Sequence, residues 1–156
     1  MTASGERKIA FVESSWHEEI VGHCRTSFAE EVARLGVSLR HVDFYKVPGS
    51  FELPLHAKRL AGTGRYAAIV AAGLVVDGGI YRHEFVAEAV VSGLMRVQLD
   101  VDVPILSAVL IPHHFHEHDQ HVQFFASHFE VKGREAALAC TETIRSLADL
   151  DNLVAV

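Results

Sequence analysis

The chain reads as an α/β protein of three layers, α-β-α, around a four-stranded parallel sheet. Three observations predict this class. Residues Ala67 to Val76 form an uncharged apolar run with Ile69, Val70, Val75 and Val76 among them, the pattern of a strand buried on both faces. Asp77-Gly78-Gly79 breaks that run, and from about Ile80 the apolar positions Val86, Val90, Gly93, Leu94 and Val97 recur at helical spacing. The same change of period returns along the chain and gives the order β-α-β-α-β-α-β-α-α. Alternation of that kind implies parallel strands, right-handed crossovers and helices on both faces.

The elements follow in order. Lys8 to Glu13 (KIAFVE) is a short apolar strand, and Ser14 or Ser15 is placed to cap the next helix. That helix has Val21, Cys24, Phe28, Val32 and Leu35 on one face and Gly36 as its stop. Val37 to Val47 alternates as a half-exposed strand at a sheet edge. In VPGSFELP, Val47 to Pro54, Gly49 permits an unusual turn, Ser50 can cap, and Glu52 lies in the first turn of a helix running to about Gly62. Val103 to Ile111 is the fourth strand. Helical pattern resumes near Val122, Lys132-Gly133 marks a break or kink, and Ala137, Cys140, Ile144 and Leu147 face inward from a last helix.

Residues 1 to 156 make one domain, with 1 to 6 loose. Apolar residues at 49% suffice for a real core, and a net charge of −6 disfavours a nucleic-acid-binding surface. Cys24 and Cys140 fall among apolar helix positions and read as buried thiols. The N-terminus lacks the apolar core of a signal peptide, and no apolar run is long enough for a membrane span. A cytoplasmic chain without a membrane partner is expected.

In parallel α/β sheets ligands bind beyond the carboxyl ends of the strands. Four such ends carry polar or aromatic residues here. Trp16 follows the first strand, as a core lid or as a stacking platform for a planar ligand. Ser50 and Glu52 follow the second, as a helix start or as a clamp for hydroxyls. Gly78 to His83 follows the third. A glycine turn before a helix aims free N–H groups and the positive end of the dipole at one point. Arg82 and His83 are cations where that dipole disfavours them, which suggests an anionic ligand; the plain alternative is a βα turn with solvated side chains. Pro112 to His114 follows the fourth strand. An aromatic plate, a hydroxyl clamp and an anion pocket suit a planar ring bearing a polyol, plus a phosphate. There is no P-loop, GxGxxG or nucleophile elbow. In HHFHEHDQH, His113, Glu117 and His121 are spaced four apart. The spacing matches no recognised zinc motif, so a solvated or subunit-facing surface is expected and no metal site.

At these residues the chain resembles the 6,7-dimethyl-8-ribityllumazine synthases of riboflavin synthesis. VPGSFELP is similar to the family's VPGAFE-P segment, GLVVDGGIYRHEFV to its G-x-V-I-x-G-x-T-x-H-x-D/E-x-V segment, and VKG to its NKG. GGIYRH and PHHFHEH resemble a divergent second bacterial subgroup, associated with decamers. The resemblance implies a flavodoxin-like fold, a homo-oligomer built from pentamers, no cofactor, and a site between adjacent subunits. It implies the condensation of 5-amino-6-ribitylaminouracil with 3,4-dihydroxy-2-butanone 4-phosphate, releasing phosphate and water. By position, Trp16 would stack on the pyrimidine, and Ser50, Phe51 and Glu52 would hold the ribityl chain and ring edge. The backbone of Leu74, Val75 and Val76 would read the uracil edge, and Gly79 and Ile80 would bind phosphate. Ser107 falls where the family often has a Phe facing the neighbour, and Lys132 matches the Lys of NKG.

Two departures stand out. The family's catalytic His aligns with Arg82, and His83 is one residue later; an Arg stays charged and is a poor proton shuttle. Either His83 moves in, or Arg82 binds phosphate and orients the reactants. The family's phosphate-binding Arg has His121 or His128 as its counterpart, seven residues apart and on one helix face. The departures at Arg82 and Ser107 motivate an alternative, a flavin- or lumazine-binding protein with weak or no synthase activity. An assembly role through the His-rich edge is a third reading.

Overall fold

The computed structural model describes residues 6–76, 83–112 and 119–154, with backbone only at 119–121 and 154. Its strands are β1 (Lys8–Ser14), β2 (Val42–Val47), β3 (Tyr66–Leu74) and β4 (Ile105–Leu110). Its helices are α1 (Glu18–Arg34), α2 (Leu53–Ala61), α3 (His83–Val101) and α4 (Asp119–Val154), with 3-10 turns at Leu39–His41 and Ser50–Glu52. The strands form one sheet in the order β2-β1-β3-β4, and every pairing is parallel. The chain therefore steps from β1 to β2 on one side and crosses back to β3 on the other. That reversal opens a crevice at the carboxyl ends of β1 and β3, the switch point of a flavodoxin-like sheet.

The period of two along β1 sorts its side chains between two cores. Ile9 and Phe11 join Val21, Cys24 and Phe28 of α1 and Phe129, Ala137 and Cys140 of α4. Ala10 and Val12 join Leu53 and Ala57 of α2 and Val90 and Leu94 of α3. The predicted three layers and the edge position of β2 are thus observed. Among the described residues no helix is long and apolar enough to cross a membrane.

Three local expectations are corrected. First, Lys132-Gly133 does not break the last helical segment; α4 is one helix of 36 residues. Gly133 is there because α1 is pressed against it. A Cβ at Gly133 would lie 2.0 Å from Ser27 Oγ, 2.5 Å from the Cys24 carbonyl oxygen and 3.0 Å from the Phe28 nitrogen. Close packing between helices outweighs the modest helix-forming deficit of glycine. Second, neither Ser14 nor Ser15 caps α1. Ser14 is the last residue of β1, and the N-cap is His17 in the left-handed region (φ 62°) without a side-chain cap. Glu18 and Glu19 in the first turn complement the dipole instead. Third, β2 begins at Val42 and not at Val37, because residues Leu39–His41 form a 3-10 turn capped by the Ser38 hydroxyl.

Gly133→Ala tests the α1–α4 contact. Helix propensity favours the change by about 1 kcal/mol, but the added methyl meets backbone atoms, and overpacking of this kind costs about 1–3 kcal/mol. A net fall in the thermal midpoint is expected; a rise would overturn the packing argument. The two thiols give a second test. Both are buried, and burial pushes Cys24 and Cys140 up to about 12. A thiol reagent at pH 8 should modify neither in the folded protein and both in denaturant.

Candidate active site

Beyond the sheet, the loops after β1 and β2 run together. The Ser15 N–H donates to the Val47 carbonyl (2.7 Å) and the Trp16 N–H to the Pro48 carbonyl (3.0 Å). These bonds lay the Trp16 indole against Gly49, where a Cβ would stand only 2.5 Å from ring atoms Cε3 and Cζ3. Gly49 itself is extended (φ −128°, ψ 177°). It is required for space and not for an unusual turn, which corrects the expectation from sequence. Trp16 is 65% exposed. Of its two readings, the core lid is excluded and the open aromatic plate remains.

Ser50, Phe51 and Glu52 form the 3-10 turn that leads into α2. The Glu52 carboxylate accepts the Gly49 N–H at 2.9 Å, so it holds the turn that supports the indole. Ser50 does not cap a helix. It is buried, and its hydroxyl donates a long bond of 3.5 Å to the Leu74 carbonyl, tying the β2 loop to the end of β3. Phe51 is 64% exposed. Trp16, Ser50, Phe51 and Glu52 are therefore brought to one end of the sheet, next to Leu74.

Leu74 and Val75 are buried and Val76 is half-buried. The Val75 N–H donates to the Leu110 carbonyl at 2.9 Å. Of the three predicted backbone readers, Val75 thus has no free N–H to offer a ligand. His83 opens α3, beyond the end of β3. Arg82, Gly79 and Ile80 lie outside the described residues.

Three buried side-chain polar atoms lack a hydrogen-bond partner among the described residues: Glu13 Oε2, Ser14 Oγ and His83 Nδ1. All three belong to the carboxyl end of β1 or to the start of α3. Buried polar atoms are nearly always paired, so these three single out the carboxyl end of the sheet as the candidate site, with Glu13 on the α1 face of β1 and Ser14 on the opposite face. Glu13 is 2% exposed, and its other oxygen accepts from the Arg25 guanidinium at 2.8 Å. Burial raises the Glu13 carboxyl above its ordinary range, against the opposing pull of Arg25 and Lys46. Beside it Lys46 donates to Glu18, which holds the Glu18 carboxyl below its ordinary range. Neither Glu13 nor Ser14, a cap candidate by sequence, is among the predicted site residues. The signal for Glu13 is a carboxylate embedded in the apolar run KIAFVES.

The remaining predicted residues are carried by other elements. Ser107 is exposed on β4, the edge opposite β2. On α4, His128 is exposed with its ring parallel to Phe124 (3° between planes). Lys132 is half-buried and lies 3.8 Å from Glu135. The backbone of α4 confirms that His121 and His128 share a helix, while the His121 side chain and residues 113–118 lie outside the described set. No group of three or more metal-binding side chains occurs among the described residues.

The chain matches the family model of 6,7-dimethyl-8-ribityllumazine synthase over residues 6–148. It is 60% identical over 144 residues to a 6,7-dimethyl-8-ribityllumazine synthase of Rhodococcus erythropolis, covering 92% of this chain and 93% of that protein. It is 54% identical to a 6,7-dimethyl-8-ribityllumazine synthase 2 of Pseudomonas syringae pv. tomato, covering 92% of this chain and 86% of that protein. A synthase 2 of Bradyrhizobium diazoefficiens is also 54% identical, with 96% and 89% covered. With its parallel sheet and its crowded β1–β3 end, the chain belongs to the 6,7-dimethyl-8-ribityllumazine synthase family.

Proposed function

We propose that the chain is a transferase of riboflavin biosynthesis. It condenses 5-amino-6-ribitylaminouracil with 3,4-dihydroxy-2-butanone 4-phosphate into 6,7-dimethyl-8-ribityllumazine, releasing phosphate and water. The observation that carries this reading, beside family membership, is the open Trp16 plate over Gly49 with Ser50 and Glu52 at its foot. The indole offers a face for the pyrimidine. Ser50, Phe51 and Glu52 take the ribityl chain and ring edge, and the Leu74 and Val75 carbonyls with the Val76 N–H read the uracil edge. Gly79 and Ile80 bind the phosphate, helped by the start of α3.

The chemistry joins an amine to a ketone as an imine with loss of one water, eliminates phosphate, and closes the ring with loss of a second water. Holding two reactants in register supplies much of such a rate. Arg82, permanently charged, fits phosphate binding. His83, half-buried at the head of α3, fits proton transfer.

The site is open in a single chain, as the exposures of Trp16 (65%) and Phe51 (64%) indicate. We take a neighbouring copy to close it, bringing Ser107, Lys132 and His121 or His128 from β4 and α4. An apolar stripe on α3, with Val91, Met95 and Leu99 exposed at 41%, 55% and 74%, supports burial against further copies. The assembly is a homo-oligomer built from pentamers, as a decamer, in the cytoplasm.

Lumazine formation followed by absorbance, with purified protein and both substrates, tests the function. Product is expected; tight pyrimidine or flavin binding without product would replace the synthase by a binding protein. His83→Ala should lower kcat by about 100-fold, the lower end of the range for a positioned acid–base group. Arg82→Ala should instead raise KM for the sugar phosphate with a smaller effect on kcat. The reverse pattern would exchange the two roles. A monomer by light scattering at assay concentration would reject the shared site.

A further inference from the structure

Ser14 is the residue at this end of the sheet with no role so far. It pairs with Val47 of β2 on one side, and the register Glu13↔Ala72 sets it beside Gly73 of β3 on the other. It therefore stands at the switch point itself. Its side chain is 1% exposed, and its hydroxyl has no hydrogen-bond partner among the described residues. A buried hydroxyl left unpaired is costly, and nothing in the packing of β1 demands one: Val12, two residues earlier on the same face, is apolar and fully buried.

A second hydroxyl converges on the same spot. Ser50 is 7% exposed, and among the described residues its hydroxyl makes a long bond of 3.5 Å to the Leu74 carbonyl. Both reach over the bare Cα of Gly73. A Cβ there would lie 2.3 Å from Ser50 Oγ and 3.3 Å from Ser14 Oγ. Even a methyl group at Gly73 would collide with Ser50 Oγ, so glycine is what lets that hydroxyl approach β3, with Leu53 Cδ1 also 3.3 Å from the same point. Two weakly engaged hydroxyls, from neighbouring strand ends, thus converge on the bare Cα of Gly73, at the end of the sheet that carries Trp16.

We propose that Ser14 is a substrate-binding residue: its hydroxyl, with that of Ser50, grips one hydrogen-bonding group of the ribityl-substituted pyrimidine. The assignment rests on the synthase reading above. A hydroxyl both donates and accepts, so the pair serves a ring carbonyl, a ring N–H or a hydroxyl of the chain. The vacant valence of Ser14 is satisfied when the substrate arrives, and binding gains a bond that the free protein lacks.

Ser14→Ala separates this from a structural role. In steady-state assays KM for 5-amino-6-ribitylaminouracil should rise about fivefold, the effect of one net hydrogen bond. The KM for the sugar phosphate should stay unchanged. The thermal midpoint of the ligand-free protein should stay level or rise, because an unsatisfied polar atom has been removed. A serine serving only the fold would lower the midpoint and leave KM alone, and that result overturns the proposal. So does a loss confined to kcat or to the sugar phosphate. Inhibition by 5,6-diaminouracil, which lacks the ribityl chain, locates the grip. An equal loss in Ser14→Ala places it on the ring, and no loss places it on the chain. If the native chain makes no product, the synthase reading fails by itself. Calorimetry of 5-amino-6-ribitylaminouracil with native and Ser14→Ala protein then decides the role of Ser14. An equal affinity, or no binding to either, overturns it.

Discussion

The parallel pairing of β1 with β3 is the constraint on which the rest of the molecule depends. Its register sets Glu13 opposite Ala72 and so brings Ser14 to Gly73. Because β2 lies on the other side of β1, the chain entering α1 and the chain entering α3 must leave the sheet in divergent directions. The crevice between them follows from topology and needs no special residue. At that end Trp16 and Ser50 lie in the loops after β1 and β2, Leu74 ends β3 with Val75 directly after it, and His83 opens α3.

Close approach, and not unusual backbone geometry, explains the glycines that matter. Gly49 lets an indole lie on the backbone, and Gly133 lets two helices touch. In both cases the neighbour is backbone or a rigid ring, so a methyl group cannot be absorbed by a rotamer change. The α1–α4 contact also fixes the far face of the sheet, where Phe11 packs its ring on Phe28 at 5.0 Å between centroids. That contact holds β1 in place from behind while its carboxyl end stays open in front.

The carboxyl end of β1 also carries buried charge. Glu13 is an acidic side chain at 2% exposure with one oxygen paired to Arg25 and the other without a partner among the described residues. Lys46 and Glu18 form a second pair beside it. Burial outweighs Arg25 and raises the Glu13 carboxyl above the ordinary range, so the carboxyl end of β1 carries a group that its surroundings leave poorly satisfied. Such local dissatisfaction concentrates at functional sites and is tolerated because the packed layers around it over-determine the fold.

The sequence by itself determined the class of fold, the two cores and the family. The apolar runs and their periods are local properties, and a parallel sheet buried on both faces makes them unambiguous, as Ala67 to Val76 illustrates. The motifs at Trp16, Val47–Pro54 and Gly73–Val86 were equally legible, because a loop's chemistry is written in its residue types. Only the tertiary structure decided what each of those residues touches. Gly133 read as a break, since a glycine's cause here is a helix more than a hundred residues earlier in the chain. Ser14 read as a helix cap, since its burial depends on Val47 and Gly73, neither of them near it in sequence. Trp16 was ambiguous between lid and plate, since exposure is set by neighbours and not by the side chain. Periodicity reports which face a residue is on; only packing reports whether the atom it presents is satisfied there.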